Sequence, residues 1–218
     1  MHVGILLTMG MLAHFLAGPH PKTTLLLTRA GPVENPEHLL YSHPGLPLAA
    51  EGRQAARALA RRLADYPVRA VYTADSRAEL EFARLVAEAL GVPLEVRPAL
   101  RERAWGAWEG LAFGEVEARW PELVRDWVQD EAGFRPPGGE SVRDVWARAC
   151  PCLEAVLAAH RGQGVLVVGN CTVNRAALAL ALPCLPPEEG LRLEQDYARL
   201  TVIEFYGSEG VVKALNLG

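Results

Sequence analysis

The run Thr24-Leu25-Leu26-Leu27-Thr28-Arg29-Ala30-Gly31 constrains this chain more than any other stretch. Three leucines between threonines, closed by a small residue and a glycine, read as a short buried strand. The arginine at its end falls where open α/β sheets place their ligands, in the crevice beyond the carboxyl ends of the strands.

The rest of the chain alternates strands and helices. Helices are expected over 49–64, from a cap at Asp75 through Leu90, near 113–120 and 122–129, from 141 to His160 with a kink near Pro151, and over 172–182. Strands are expected over 23–28, 69–73, 94–97 and 165–168, with an antiparallel hairpin from 200–205 and 211–215. This pattern predicts a three-layer α/β fold, a mainly parallel sheet flanked by helices on both faces. Residues 23–218 are expected to form one domain. Residues 1–22 are set apart as an N-terminal extension, in which 3–17 form an apolar stretch too short to span a bilayer. That stretch reads as a helix packed on the domain or on a second copy of the chain. The breaker-rich linker Gly18-Pro19-His20-Pro21 follows it.

With 218 residues the chain has ample length for a core, and its net charge of −4 offers no argument for nucleic acid or an anionic membrane. The four cysteines, Cys150, Cys152, Cys171 and Cys184, lack zinc-ligand spacing and read as reduced structural thiols. No metal or cofactor is expected. The cytoplasm is the expected compartment, with secretion through the apolar N-terminus as the alternative.

Five pieces in order resemble the histidine phosphatase (phosphoglycerate mutase-like) superfamily. They are the Arg29 strand, Leu46-Pro47-Leu48 with Glu51-Gly52 and Gln54-Ala55, and Val71-Tyr72-Thr73-Ala74-Asp75. Leu100-Arg101-Glu102 with Gly106-Ala107-Trp108-Glu109-Gly110, and Gly138-Gly139-Glu140-Ser141 complete the set. The resemblance implies that family's fold, with a pocket at the strand ends. It also implies where the chemistry departs. The family's strand ends in Arg-His-Gly, and the nucleophilic histidine position is Ala30. The second histidine aligns with Asn170. The family's loop asparagine falls at Pro36, with Asn35 one place early, and its second phosphate-binding arginine falls at Ala78, with Arg77 adjacent. Arg29 and Glu102 match its phosphate-binding arginine and its proton donor.

A methyl group has no lone pair to attack phosphorus, and loss of a nucleophile typically lowers the rate by roughly 10⁴–10⁶. Asn170 carries neither charge nor a proton at neutral pH. The expected site therefore binds a phosphorylated small molecule or other anion through Arg29, Asn35, Arg77, Glu102 and Asn170, helped by N–H groups at the start of the helix near Thr172. In the alternative reading Arg29 pairs with Glu102 and Asn170 only ties down its loop. An enzyme of changed chemistry would use Cys171, whose helix start favours a thiolate, or a water activated by Glu102. His43 near the rim is a further replacement base, and His14 and His20 could reach over from the extension. A third reading is a structural protein that assembles into homo-oligomers through residues 3–17.

Overall fold

The computed structural model describes residues 22–218, so the apolar extension, its expected helix, and His14 and His20 lie outside the described residues. The first strand, β1 (Thr23–Arg29), is followed by α1 (Ala50–Leu63), β2 (Val68–Thr73), α2 (Arg77–Leu90) and β3 (Leu94–Val96). Two helices, α3 (Phe113–Arg119) and α4 (Pro121–Gln129), precede the long α5 (Val142–Ala159). Strand β4 (Gly164–Gly169), α6 (Cys171–Ala181), the short α7 (Pro187–Gly190), β5 (Leu200–Tyr206) and β6 (Glu209–Leu217) complete the order.

The six strands form one mixed sheet in the order β3-β2-β4-β1-β5-β6. The first four run parallel, and β5 and β6 join as antiparallel neighbours. Alternation along β1 divides the core. Leu25 and Leu27 pack with Trp146, Leu153 and Leu178 of α5 and α6 on one face, whereas Leu26 packs with Leu59 and Leu63 of α1 and Phe82 of α2 on the other. Helices cover both faces, as the alternation of elements predicts.

Most elements lie where the sequence places them, and Gly91 ends α2 in the left-handed conformation expected of a terminal glycine. Asp75 does not cap α2. Ser76 is the residue before the first turn, and Asp75 instead receives two guanidinium N–H groups of Arg101, at 2.6 and 2.5 Å. A bidentate arginine contact offers a carboxylate more than a single backbone N–H does. The helix from Val142 keeps Pro151 in its interior and runs for 18 residues. The short α7 lies where the sequence reading places no element; Pro187 stands in its first turn, where proline is tolerated.

Two devices hold the segments that flank the strand ends. After β1 the chain passes over the first turn of α1 so closely that a Cβ on Gly31 would lie 2.5 Å from the Gly52 Cα. Only glycine permits this approach, which fixes the path of Arg29-Ala30-Gly31. The second device is a clamp made by Gly138-Gly139-Glu140-Ser141. Ser141 caps α5 by accepting from the Asp144 N–H at 3.1 Å, while the Asp144 carboxylate accepts from the Ser141 N–H. Glu140 exchanges hydrogen bonds with the Ala104 backbone and receives Arg148 of α5 through Nε and Nη2, at 2.9 and 2.8 Å. The same guanidinium donates to the carbonyls of Ala99, Arg101 and Glu102. The arginine beside it holds the Glu140 carboxyl below the usual carboxylate range.

Gly31→Ala should lose about 1–3 kcal/mol of stability in urea unfolding, because the new methyl has nowhere to go. Gly114→Ala in α3, where an added Cβ meets nothing within 4 Å, should gain up to about 1 kcal/mol. Equal effects at the two positions would contradict the close approach. Arg148→Met should lower stability by about 2–3 kcal/mol by removing the donor to three carbonyls and leaving the Glu140 carboxylate with the Ala104 N–H alone. An unchanged unfolding midpoint would show that the clamp carries no weight.

Candidate functional site

A cavity of about 310 Å³ opens at the carboxyl ends of β1 and β4. Its position follows from strand register. Arg29 pairs with Gly169, and the Ala30 N–H donates to the Gly169 carbonyl at 3.1 Å. The next residues of the two strands, Ala30 and Asn170, therefore stand side by side in the wall of the cavity.

Arg29 is held but not neutralised. Its guanidinium lies 3.8 Å above the Tyr197 ring, and Nη1 donates to the Gln195 carbonyl at 3.2 Å. Among the described residues it makes no ion pair, with Glu102 or with any other acid. A guanidinium has five N–H donors, so most of the fork faces the cavity unused.

Glu102, Asn170 and Cys171 also line the cavity. Glu102 accepts from the Arg103 N–H at 2.6 Å and from the Thr172 N–H at 3.5 Å. Asn170 is the residue before α6: its Oδ1 accepts from the Val173 N–H at 3.2 Å and its Nδ2 donates to the Leu100 carbonyl at 3.4 Å. The helix-start N–H groups of Thr172 and Val173, expected to face a ligand, are thus taken by the chain's own oxygens. Asn170 is spent as a cap. Cys171 sits in the first turn of α6, but burial pushes its thiol up, against the pull of Arg29. It is a neutral thiol at pH 7, the reverse of what a helix start alone suggests.

Three expected residues lie elsewhere. Asn35 closes a local turn, donating to the Leu39 carbonyl and accepting from the Leu39 N–H, and does not line the cavity. Arg77 is exposed at the start of α2, outside the cavity, while Ala78 and Glu79 face inward. One step along a helix turns a side chain by about 100°, so adjacency in sequence does not carry Arg77 into the site. His43 lies 3.8 Å from Asp75 and is not part of the wall.

Other residues complete the wall. Glu79 is 8% exposed and faces Arg29, and its carboxyl is pushed up to about 7, chiefly by burial, with Glu102 adding to the effect. Arg103 is 5% exposed, with its guanidinium 4.1 Å above the Trp105 ring and its Nη1 without a partner. Burial pushes it down from the ordinary arginine value. Tyr41 hydrogen-bonds Tyr197, and burial raises its phenol. Its loop is anchored where the Ser42 N–H and Oγ both donate to Glu109. Arg175, one turn into α6, donates Nε to the Leu193 carbonyl at 3.0 Å. Glu79 escaped notice because a glutamate in a first helical turn is an ordinary dipole residue. Its only signal was the Ala-Glu pair at the place of the missing arginine. Trp108 is fully buried against Phe134.

The wall thus carries three arginines, Arg29, Arg103 and Arg175, and three glutamates, Glu79, Glu102 and Glu131. It offers hydrogen-bond donors to an anion, and among the described residues no imidazole lines it. Among the described residues no three His, Cys, Asp or Glu side chains are grouped to hold a metal ion. Nor is any helix among them long and apolar enough to cross a membrane.

Comparison with known proteins now bears on this site. Residues 25–218 match the family described as "Histidine phosphatase superfamily (branch 1)". The bifunctional protein Rv2228c of Mycobacterium tuberculosis is 39% identical over 191 residues, covering 84% of this chain and 50% of that protein. The chain therefore spans about half the length of that relative. The 2,3-bisphosphoglycerate-dependent phosphoglycerate mutase 2 of Gloeobacter violaceus is 32% identical over 186 residues, 79% of this chain and 81% of the mutase. Among solved structures, YhfR of Bacillus stearothermophilus superposes with a TM-score of 0.83 at 30% identity, over 90% of this chain and 98% of YhfR. The mycobacterial glucosyl-3-phosphoglycerate phosphatase Rv2419c superposes with a TM-score of 0.80 at 26% identity, over 90% of this chain and all of that one (100%). With the sheet order, the Arg29 strand and the cavity at its end, these matches make the chain a member of the histidine phosphatase superfamily.

Proposed function

We propose that this protein is a non-catalytic member of its superfamily that binds a phosphorylated small molecule or a related anion through Arg29. One observation carries the reading. The residue that stands beside Arg29 in the cavity wall, where the family's attacking imidazole belongs, is an alanine. A methyl group cannot form a phosphoenzyme, and Asn170 opposite is committed to capping α6. Arg29 retains a charge that no acid pairs with, and an unpaired, partly buried guanidinium favours an anionic guest.

Mutase and phosphatase chemistry belongs to the relatives named above and does not transfer through Ala30. The thiol alternative weakens for a physical reason: Cys171 is held neutral by burial, and a neutral thiol is a poor nucleophile. The assembly reading depends on residues 3–17.

Calorimetric titration with inorganic phosphate should give saturable binding to the protein. Arg29→Lys keeps the charge and removes the fork, and should weaken binding about tenfold or more. Hydrolysis of an aryl phosphate should be absent in both forms. Turnover by the unaltered protein that Arg29→Lys abolishes would overturn the reading, and so would an absence of anion binding.

A further inference from the structure

We propose that Glu79 is the second arm of the Arg29 anion site and works as a neutral acid, donating a hydrogen bond to the anion so that the anion and one proton bind together. This rests on the anion-binding reading given above and adds a residue and a stoichiometry to it.

Glu79 lacks a partner for its carboxyl's charge. It is more than nine-tenths buried and lines the cavity, and among the described residues it has no ion pair and no side-chain hydrogen-bond donor, only its own backbone N–H. A buried carboxylate in that state pays a desolvation penalty that a protonated carboxyl avoids. The charged and titratable groups around it do not relieve the penalty. From β1 comes Arg29, and from the loop before α1 comes Tyr41; Glu102, the Cys171 thiol and Glu131 share the wall, with Arg103, Arg175 and Tyr197. Burial keeps Tyr41 and Cys171 in their neutral forms near pH 7. The resemblance implies an arginine at Ala78; in this chain that residue is a methyl group, and the carboxyl of Glu79 stands next to it in the wall. An ionised Glu79 would repel a dianion on Arg29. A protonated one offers it a donor.

A second arginine points the same way. Arg103, 5% exposed, lines the same wall, and among the described residues it too makes no ion pair. Two guanidinium groups without an acid partner in one cavity favour an anionic guest.

The sign follows from linkage. The Glu79 carboxyl of the empty site ionises at about 7. Binding that requires its protonated form is full strength well below that value and falls about tenfold per pH unit above it.

Sulfate is the suitable probe, because it stays a dianion across the range where phosphate itself titrates. Calorimetric titration of the unaltered protein with sulfate should give affinity about thirtyfold weaker at pH 8.5 than at pH 5.5. At pH 8, titrations in two buffers of different ionisation enthalpy should report the uptake of close to one proton per sulfate bound. Glu79→Gln keeps the shape and the donor, and should bind sulfate with nearly the same affinity at both pH values and without proton uptake. Sulfate binding that is independent of pH in the unaltered protein, or a pH dependence that survives in Glu79→Gln, would overturn the role of Glu79 while leaving the Arg29 site intact. Failure of sulfate to bind to either protein at pH 5.5 would overturn the anion-binding reading and this inference together. Should Glu79→Gln misfold, the proton count on the unaltered protein decides alone.

Discussion

The parallel pairing of β1 with β4 is the constraint on which the rest of this molecule depends. Its register sets Arg29 against Gly169, and so Ala30 against Asn170. The resemblance implies the superfamily's two histidines at these positions, where this chain has a methyl group and a helix cap. Because Leu25, Leu26 and Leu27 are fully buried between two layers of helices, the ladder cannot slip by one residue without turning each leucine toward the wrong layer. The position of Arg29 is thus fixed by core packing, whatever the site is used for.

The cavity gathers buried charge of both signs at the strand ends. Three arginines face three glutamates, but geometry prevents mutual neutralisation. Arg29 leans on Tyr197 and a carbonyl, Arg103 stacks on Trp105, and Arg175 holds the Leu193 carbonyl. The glutamates divide as well. Glu102 is occupied by two backbone N–H groups, whereas Glu79 has only its own. Buried groups left partly unsatisfied raise the free energy of the empty site, and a ligand that completes them recovers that cost. The helix start contributes less than the fold suggests, since Glu102 and Asn170 already take the Thr172 and Val173 N–H groups.

Much of this was legible in the chain itself, for identifiable reasons. Apolar runs bounded by glycine and proline mark the strands, and Gly-Gly-Glu-Ser before a long amphipathic run marks the start of α5. The residues at strand ends, Arg29, Ala30 and Asn170, can be placed because a strand's direction and end determine where its last residues point. Glu102, in the loop beyond β3, is placed only by the Leu-Arg-Glu resemblance, and other residues off the strand ends cannot be placed. Asn35 and Arg77 are one position away from the expected places, and in a tight turn or a first helical turn one position separates the cavity from solvent. Glu79 and Arg103 are not legible in the sequence, because what sets them apart is burial in a wall shared with residues distant in the chain such as Tyr41 and Trp127. Asp75 illustrates the same limit, since its local capping role loses to Arg101, 26 residues away.

The central claim is that this cavity can grip a phosphoryl group and cannot take it. Intact-mass spectrometry of the protein, quenched at alkaline pH during incubation with an excess of aryl phosphate, tests it most directly. The account predicts a single species at the mass of the unmodified chain at every time point. A phosphorylated species that forms and decays with turnover, its phosphoryl group mapped to a side chain in the wall of the cavity, would contradict it.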